Sequence, residues 1–207
     1  MKKLICIIAI VSTFGTLQAQ TKYDETREFG EYKSNWALVK VDNKFGFIND
    51  EGDEIVNTIY DEIGQFGEYK SNWALVKVDN KFGFINDKGD EIANTIYDEI
   101  GQFGEYKSNW ALVKVDNKFG FINDKGDEIV NTIYDEIEQF GEYKSDWALV
   151  KVDNKLGFID NKGDEIVNTI YDKIGQFGEY KSDWAMVTFN KKQGFINTKG
   201  EFTTEID

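Results

Sequence analysis

The stretch "SNWALVKVDNKFGFINDKGDEI", Ser71–Ile92, returns letter for letter at Ser108–Ile129, and with small edits around Trp36, Trp147 and Trp184. Trp36, Trp73, Trp110, Trp147 and Trp184 stand 37 residues apart. Self-similarity at a fixed period of roughly 20–50 residues marks a repeat architecture and outranks any motif read from one copy. Framed at the tyrosine of each Tyr-Asp pair, the units are 23–59, 60–96, 97–133, 134–170 and 171–207. They fill the sequence, so residues 20–207 read as one repeat domain with no linker.

Within a unit the pattern is β. In the first copy Asp42-Asn43 separates "NWALVKV" from "KFGFIN". Asp and Asn tolerate the positive φ that a two-residue hairpin turn needs. Such a turn sets Val41 opposite Lys44, Val39 opposite Gly46, Leu38 opposite Phe47 and Trp36 opposite Asn49. Alternation along a strand then sorts the side chains. Trp36, Leu38, Phe45 and Phe47 share a bulky face, with Lys40 at its rim. Ala37, Val39, Val41, Gly46 and Ile48 share a small one. A hairpin wetted on one side alternates apolar with polar. This one is apolar on both faces and needs cover on both.

A second turn, Asn86–Gly89, uses Gly89 for a left-handed position. A third strand is expected over Asp127–Ile133 in the third unit, and "YDEIGQF", Tyr97–Phe103, offers a short fourth. A unit of 37 residues cannot bury enough apolar surface to fold alone, and stacked neighbours supply the missing cover. The expected fold is therefore all-β: five meanders stacked as an open, capped, solenoid-like array. The alternative is a closed five-bladed propeller. Polar edits at the two ends favour the open form. Thr26 stands where later units have Ile63, Ile100, Ile137 and Ile174, and Gln193 stands where earlier units have Phe45, Phe82, Phe119 and Leu156.

At "DNKFGFINDKG" and "IYDEIGQF" the unit resembles the bacterial WG repeat. Gly46, Gly83, Gly120, Gly157 and Gly194 match the glycine of that family. Tyr60-Asp61, Tyr97-Asp98, Tyr134-Asp135 and Tyr171-Asp172 match its Tyr-Asp pair. The tryptophan of the family name is replaced by Phe45, Phe82, Phe119, Leu156 and Gln193. The family's frequent Pro-Pro is Asn57-Thr58 and its equivalents. The resemblance implies an exported or cell-associated repeat protein and transfers no catalytic residue.

The first 19 residues read differently. Lys2 and Lys3 precede an apolar run, Leu4–Val11, and "TLQAQ" offers a cut after Ala19, the pattern of a secretory signal peptide. The run is shorter than the ~20 apolar residues of a spanning helix. Cys6, the one cysteine, precedes most of the run, so no lipid anchor is read, and residues 20–207 have no cysteine to form a disulfide. The expected location is periplasmic or extracellular, without membrane insertion after cleavage. Without Lys2 and Lys3, 22 basic residues face 38 acidic ones. That excess repels phosphate backbones and anionic membrane surfaces, which excludes nucleic acid as a partner.

Catalysis is not expected. The sequence has no histidine. Its serines lack a base to activate them, and its carboxylate pairs recur in near-identical surroundings, whereas acid and base roles need environments that differ. No cofactor or metal is expected; "NDKGDE" holds oxygens around a glycine as calcium loops do, but without their spacing. The tryptophans and the repeated glycines read as structural core. Tyr32, Tyr69, Tyr106, Tyr143 and Tyr180, in the "GEYKS" loops, form the candidate binding ladder. The expected function is a multivalent binding or structural scaffold for a protein or envelope polymer, with a carbohydrate-binding module as the alternative.

Overall fold

The computed structural model describes residues 22–206; the leader-like segment lies outside them. The chain forms five four-stranded antiparallel sheets, each a simple meander. The first holds β1 (Glu25–Thr26), β2 (Trp36–Val41), β3 (Lys44–Asn49) and β4 (Glu54–Tyr60). The second holds β5 (Glu62–Ile63), β6 (Trp73–Val78), β7 (Lys81–Asn86) and β8 (Glu91–Tyr97). The third holds β9 (Glu99–Ile100), β10 (Trp110–Val115), β11 (Lys118–Asn123) and β12 (Glu128–Tyr134). The fourth holds β13 (Glu136–Ile137), β14 (Trp147–Val152), β15 (Lys155–Asp160) and β16 (Glu165–Tyr171). The fifth holds β17 (Lys173–Ile174), β18 (Trp184–Phe189), β19 (Lys192–Asn197) and β20 (Phe202–Thr203). The last strand of each of the first four sheets, the third long one, ends on its tyrosine. In the third sheet this places the strand one residue later than Asp127–Ile133.

The hairpin follows its turn. Asp42 and Asn43 take φ of 49° and 65°, the left-handed pair that continues the strands' twist. Val41 pairs with Lys44, Val39 with Gly46, Leu38 with Phe47 and Trp36 with Asn49, the register the sequence predicts. The two apolar faces then find each other between units. Trp36, Leu38, Phe47, Val56 and Tyr60 of the first sheet pack on Ala74, Val76 and Ile85 of the second. The same bulky-on-small contact joins the second sheet to the third, the third to the fourth and the fourth to the fifth. Phe47, Phe84, Phe121 and Phe158 are fully buried at its centre. No core cluster of the described residues joins the fifth sheet back to the first, so the stack is an open array.

The fourth strand is not regular. Phe45 pairs with Tyr60, Phe47 with Val56 and Ile48 with Glu54. Counted along these pairs, β4 carries extra residues that bulge away from β3. The bulged backbone folds over Gly46, where a Cβ would lie 2.4 Å from the Val56 carbonyl oxygen. Only glycine fits, which explains the repeated Gly46, Gly83, Gly120 and Gly157. In the fifth sheet the Phe202 ring sits over Gly194 instead. Asn57-Thr58 lies in this bulge, a place where a strand tolerates proline. The family's Pro-Pro is therefore compatible with the same geometry.

Candidate binding surface

At one end of each interface the loop before the tryptophan closes on itself. The Gly67 N–H donates to the Trp73 carbonyl at 3.0 Å, and the Trp73 N–H donates to that of Lys70 at 2.9 Å. This fixes three side chains. Tyr69 meets buried Phe84 edge-on at 5.3 Å between centroids. Trp73 lies 5.2 Å from the same ring and 5.7 Å from Phe103 of the next unit. Lys70 lies over the Trp73 indole and reaches across the interface to Asp124, bonding its carbonyl at 2.8 Å and its carboxylate at 2.9 Å. The phenylalanine of each "QF" and the lysine of the first four "YKS" loops therefore fasten units together. Neither role is legible from one copy, because each partner lies in the adjacent unit.

The ladder tyrosines Tyr32, Tyr69, Tyr106 and Tyr143 are half-buried in these clusters, with part of each ring at the surface. Burial pushes the hydroxyls of Tyr32, Tyr106 and Tyr143 above their ordinary value. Tyr180, on a sheet with no described neighbour on its bulky side, is 56% exposed. Trp36, Trp73, Trp110 and Trp147 are buried, while Trp184 is partly exposed for the same reason as Tyr180.

A second set of ties uses the Tyr-Asp pair. Asp98 accepts the Asp116 N–H at 2.8 Å, capping its own hairpin turn. It also accepts Lys81 of the preceding unit at 2.6 Å. Asp61, Asp135 and Asp172 stand in the same relation to Lys44, Lys118 and Lys155. At the "NDKG" turn, the Asn86 carboxamide oxygen accepts the N–H groups of Lys88 and Asp90, each at 2.9 Å. The oxygen-rich side chains of this segment thus shape the turn. Among the described residues no three or more carboxylates cluster as metal ligands.

The outer strands carry a feature that the sequence reading does not single out. Ile59, Ile96, Ile133 and Ile170 are 48%, 45%, 49% and 39% exposed. They occupy one position in the bulge of β4, β8, β12 and β16, next to the buried tyrosine. From Val56 to Tyr60 the strand alternates, with Val56 and Tyr60 inward and Asn57 and Ile59 outward, so each isoleucine takes the outer face that alternation from the buried tyrosine assigns it. One concavity of about 130 Å³ lies beside Glu99, Gly101, Lys114 and Phe119. A pocket that engulfs a small ligand measures roughly 300–1,000 Å³. A larger recess of about 630 Å³ is lined only by the consecutive residues Thr26–Glu31 and brings no distant groups together.

A family model described as "WG containing repeat" matches residues 45–82, 82–119, 119–155 and 157–192. No curated protein matches the chain. Solved structures similar to it include Hsv2 of Kluyveromyces lactis, at 10% identity and a TM-score of 0.29 over 86% of this chain and 63% of that one. AztD of Citrobacter koseri is 13% identical, with a TM-score of 0.32 over 84% and 57% of the two chains. BamB of Moraxella catarrhalis is 8% identical, with a TM-score of 0.27 over 88% and 62%. The chain thus spans less than two thirds of the length of each of these proteins.

Proposed function

The chain belongs to the family of WG-containing repeats, and from that premise we propose that it is a non-enzymatic, exported scaffold that binds a protein partner multivalently. One observation carries this reading. The bulky-on-small contact recurs at four interfaces, so the outer strands present the same side chains at a regular interval. Linked weak sites on a stiff support gain ~10²–10⁴ in avidity without any strong single site. The sameness of the units also weighs against catalysis, which needs groups in unlike environments. A sugar-binding alternative loses its broadest aromatic platforms, because four of the five tryptophans are buried.

The test is a series of arrays with one or two whole units deleted, each splice joining equivalent residues. Affinity for a partner captured from the native envelope is measured by calorimetry. The scaffold reading expects the arrays to stay folded and affinity to fall steeply with unit number. Undiminished affinity in a three-unit array overturns it. Export rests on the leader pattern of residues 1–19; N-terminal sequencing of the secreted product should begin at Gln20, and an intact Met1 rejects it.

A further inference from the structure

We propose that Ile59, Ile96, Ile133 and Ile170 form a ladder of apolar anchors for a basic amphipathic helix lying across successive outer strands. The proposal rests on the scaffold reading and names its surface and the chemistry of its partner. Isolated exposed apolar residues are ordinary on a soluble protein. Four at one position of four stacked sheets form a stripe. Packing does not require them: at the same bulge the neighbouring Val56 and Tyr60 enter the core, while Ile59 turns outward.

The strands of the stripe carry charge of one sign, and Lys22 pairs with it only at Glu54, at 3.5 Å. Glu54, Glu91, Glu128 and Glu165 are exposed and are the sole charged residues of their strands. Three of them accept a bulge N–H, from Thr58 at 3.3 Å, Thr132 at 3.1 Å and Thr169 at 2.8 Å. These bonds hold each carboxylate against the backbone of the residue that precedes the isoleucine. Complementarity then calls for a basic partner, and the chain's formal charge of −14 steers one inward.

Spacing selects the partner's conformation. Sheets packed face to face lie about 10 Å apart. An extended strand returns to the same face every ~6.8 Å and falls out of step with the ladder. A helix with one apolar residue per heptad returns every ~10.5 Å and stays in step over four anchors. A polyproline-type segment, at ~9.3 Å per turn, is the competing geometry.

The experiment uses the purified protein and a labelled lysine-rich peptide of four heptads with one leucine in each, at physiological salt. Two further peptides replace every leucine by serine, or place the same side chains on a polyproline frame. Saturable binding of the leucine peptide is expected. Binding should fall about tenfold or more with serine in place of leucine, and likewise for the Ile96→Asn/Ile133→Asn protein. Both asparagines fall at exposed positions, and an unchanged thermal midpoint certifies the fold. Absence of saturable binding, equal binding by the variant or the serine peptide, or preference for the polyproline frame overturns the proposal. The scaffold reading fails separately, through affinity that ignores the number of units.

Discussion

Gly52 and Gly126 hold the same place in the same turn, with φ of +89° and +87°. The sequence reading assigns such glycines to turn geometry, and for Gly52 that is the whole account, since a Cβ there meets nothing within 4 Å. At Gly126 a Cβ would stand 2.1 Å from the Ile92 carbonyl oxygen of the preceding unit. Gly89 and Gly163 meet Ile55 and Ile129 in the same way. One letter thus serves the turn in every unit and the stacking in all but the first. Gly52→Ala should cost only the left-handed penalty, about 1–2 kcal/mol. Gly126→Ala should add an overpacking term of about 1–3 kcal/mol, because backbone rather than a movable side chain lies in the way. Urea denaturation of the two variants separates the terms, and equal losses would show that the units do not press on each other there.

Asp98 joins two elements, the hairpin of its own sheet and the turn lysine of the sheet before. The Lys81 ammonium and the Asp116 N–H hold its carboxyl below the ordinary carboxylate value, and Asp61 and Asp135 are lowered in the same way by Lys44 and Lys118 with the Asp79 and Asp153 N–H groups. Asp172 is lowered chiefly by Lys155. A carboxyl more acidic folded than unfolded contributes stability fully above the unfolded value of ~3.9 and loses it as pH falls through the folded value. The thermal midpoint should therefore drop once pH passes below about 4, and Asp98→Asn should flatten that drop while lowering the neutral-pH midpoint. A midpoint that stays level down to pH 2 would show that these joints do not support the fold. The buried tyrosine of the same pair behaves in the opposite sense. Burial, then the Glu128 charge, pushes the Tyr97 hydroxyl up to about 12. Its contribution is whole below the unfolded value of ~10 and is lost as pH rises toward the folded one. Absorbance at 295 nm should show a late-titrating group of tyrosines whose ionisation accompanies loss of the β signal; a single titration near 10 with the β signal intact would contradict it. The register and the two faces of each hairpin are legible in the sequence because they are local: a two-residue turn and strict alternation fix them. The bulge of β4 is not, because it exists where Gly46 of another strand leaves room for it. The reach of Lys70 and the seat of Phe103 depend on the neighbouring unit, so one copy carries no sign of them, whereas the outward Ile59 follows from alternation once Tyr60 is known to be buried.

The whole molecule is a row of sheets in which each of the four larger core clusters belongs to one interface between two neighbours. Stability in such a row is close to a sum of unit terms and nearest-neighbour terms. The consequence differs between the middle and the end. Ala111 is fully buried where the third sheet meets Trp73, Phe84 and Tyr97 of the second. Ala37 is as deeply buried, but on the outer side of the first sheet, in a small cluster with Val39, Ile48 and Tyr23. An unpartnered carboxylate in either place costs about 3–5 kcal/mol, by analogy with a buried ion pair that has lost one member. At Ala37 the cost falls on the first sheet, while the three interfaces beyond it stay intact. At Ala111 it falls between two and three sheets, and the array should come apart into segments that melt separately. Ala111→Asp should therefore convert one thermal transition into two, with hydrogen-exchange protection lost in β8 and β10 on either side of the break. Ala37→Asp should leave one transition at a lower midpoint. If both variants melted in one step with equal loss, the five sheets would be a single cooperative unit rather than a row, and deleting a unit would then unfold the protein instead of shortening it.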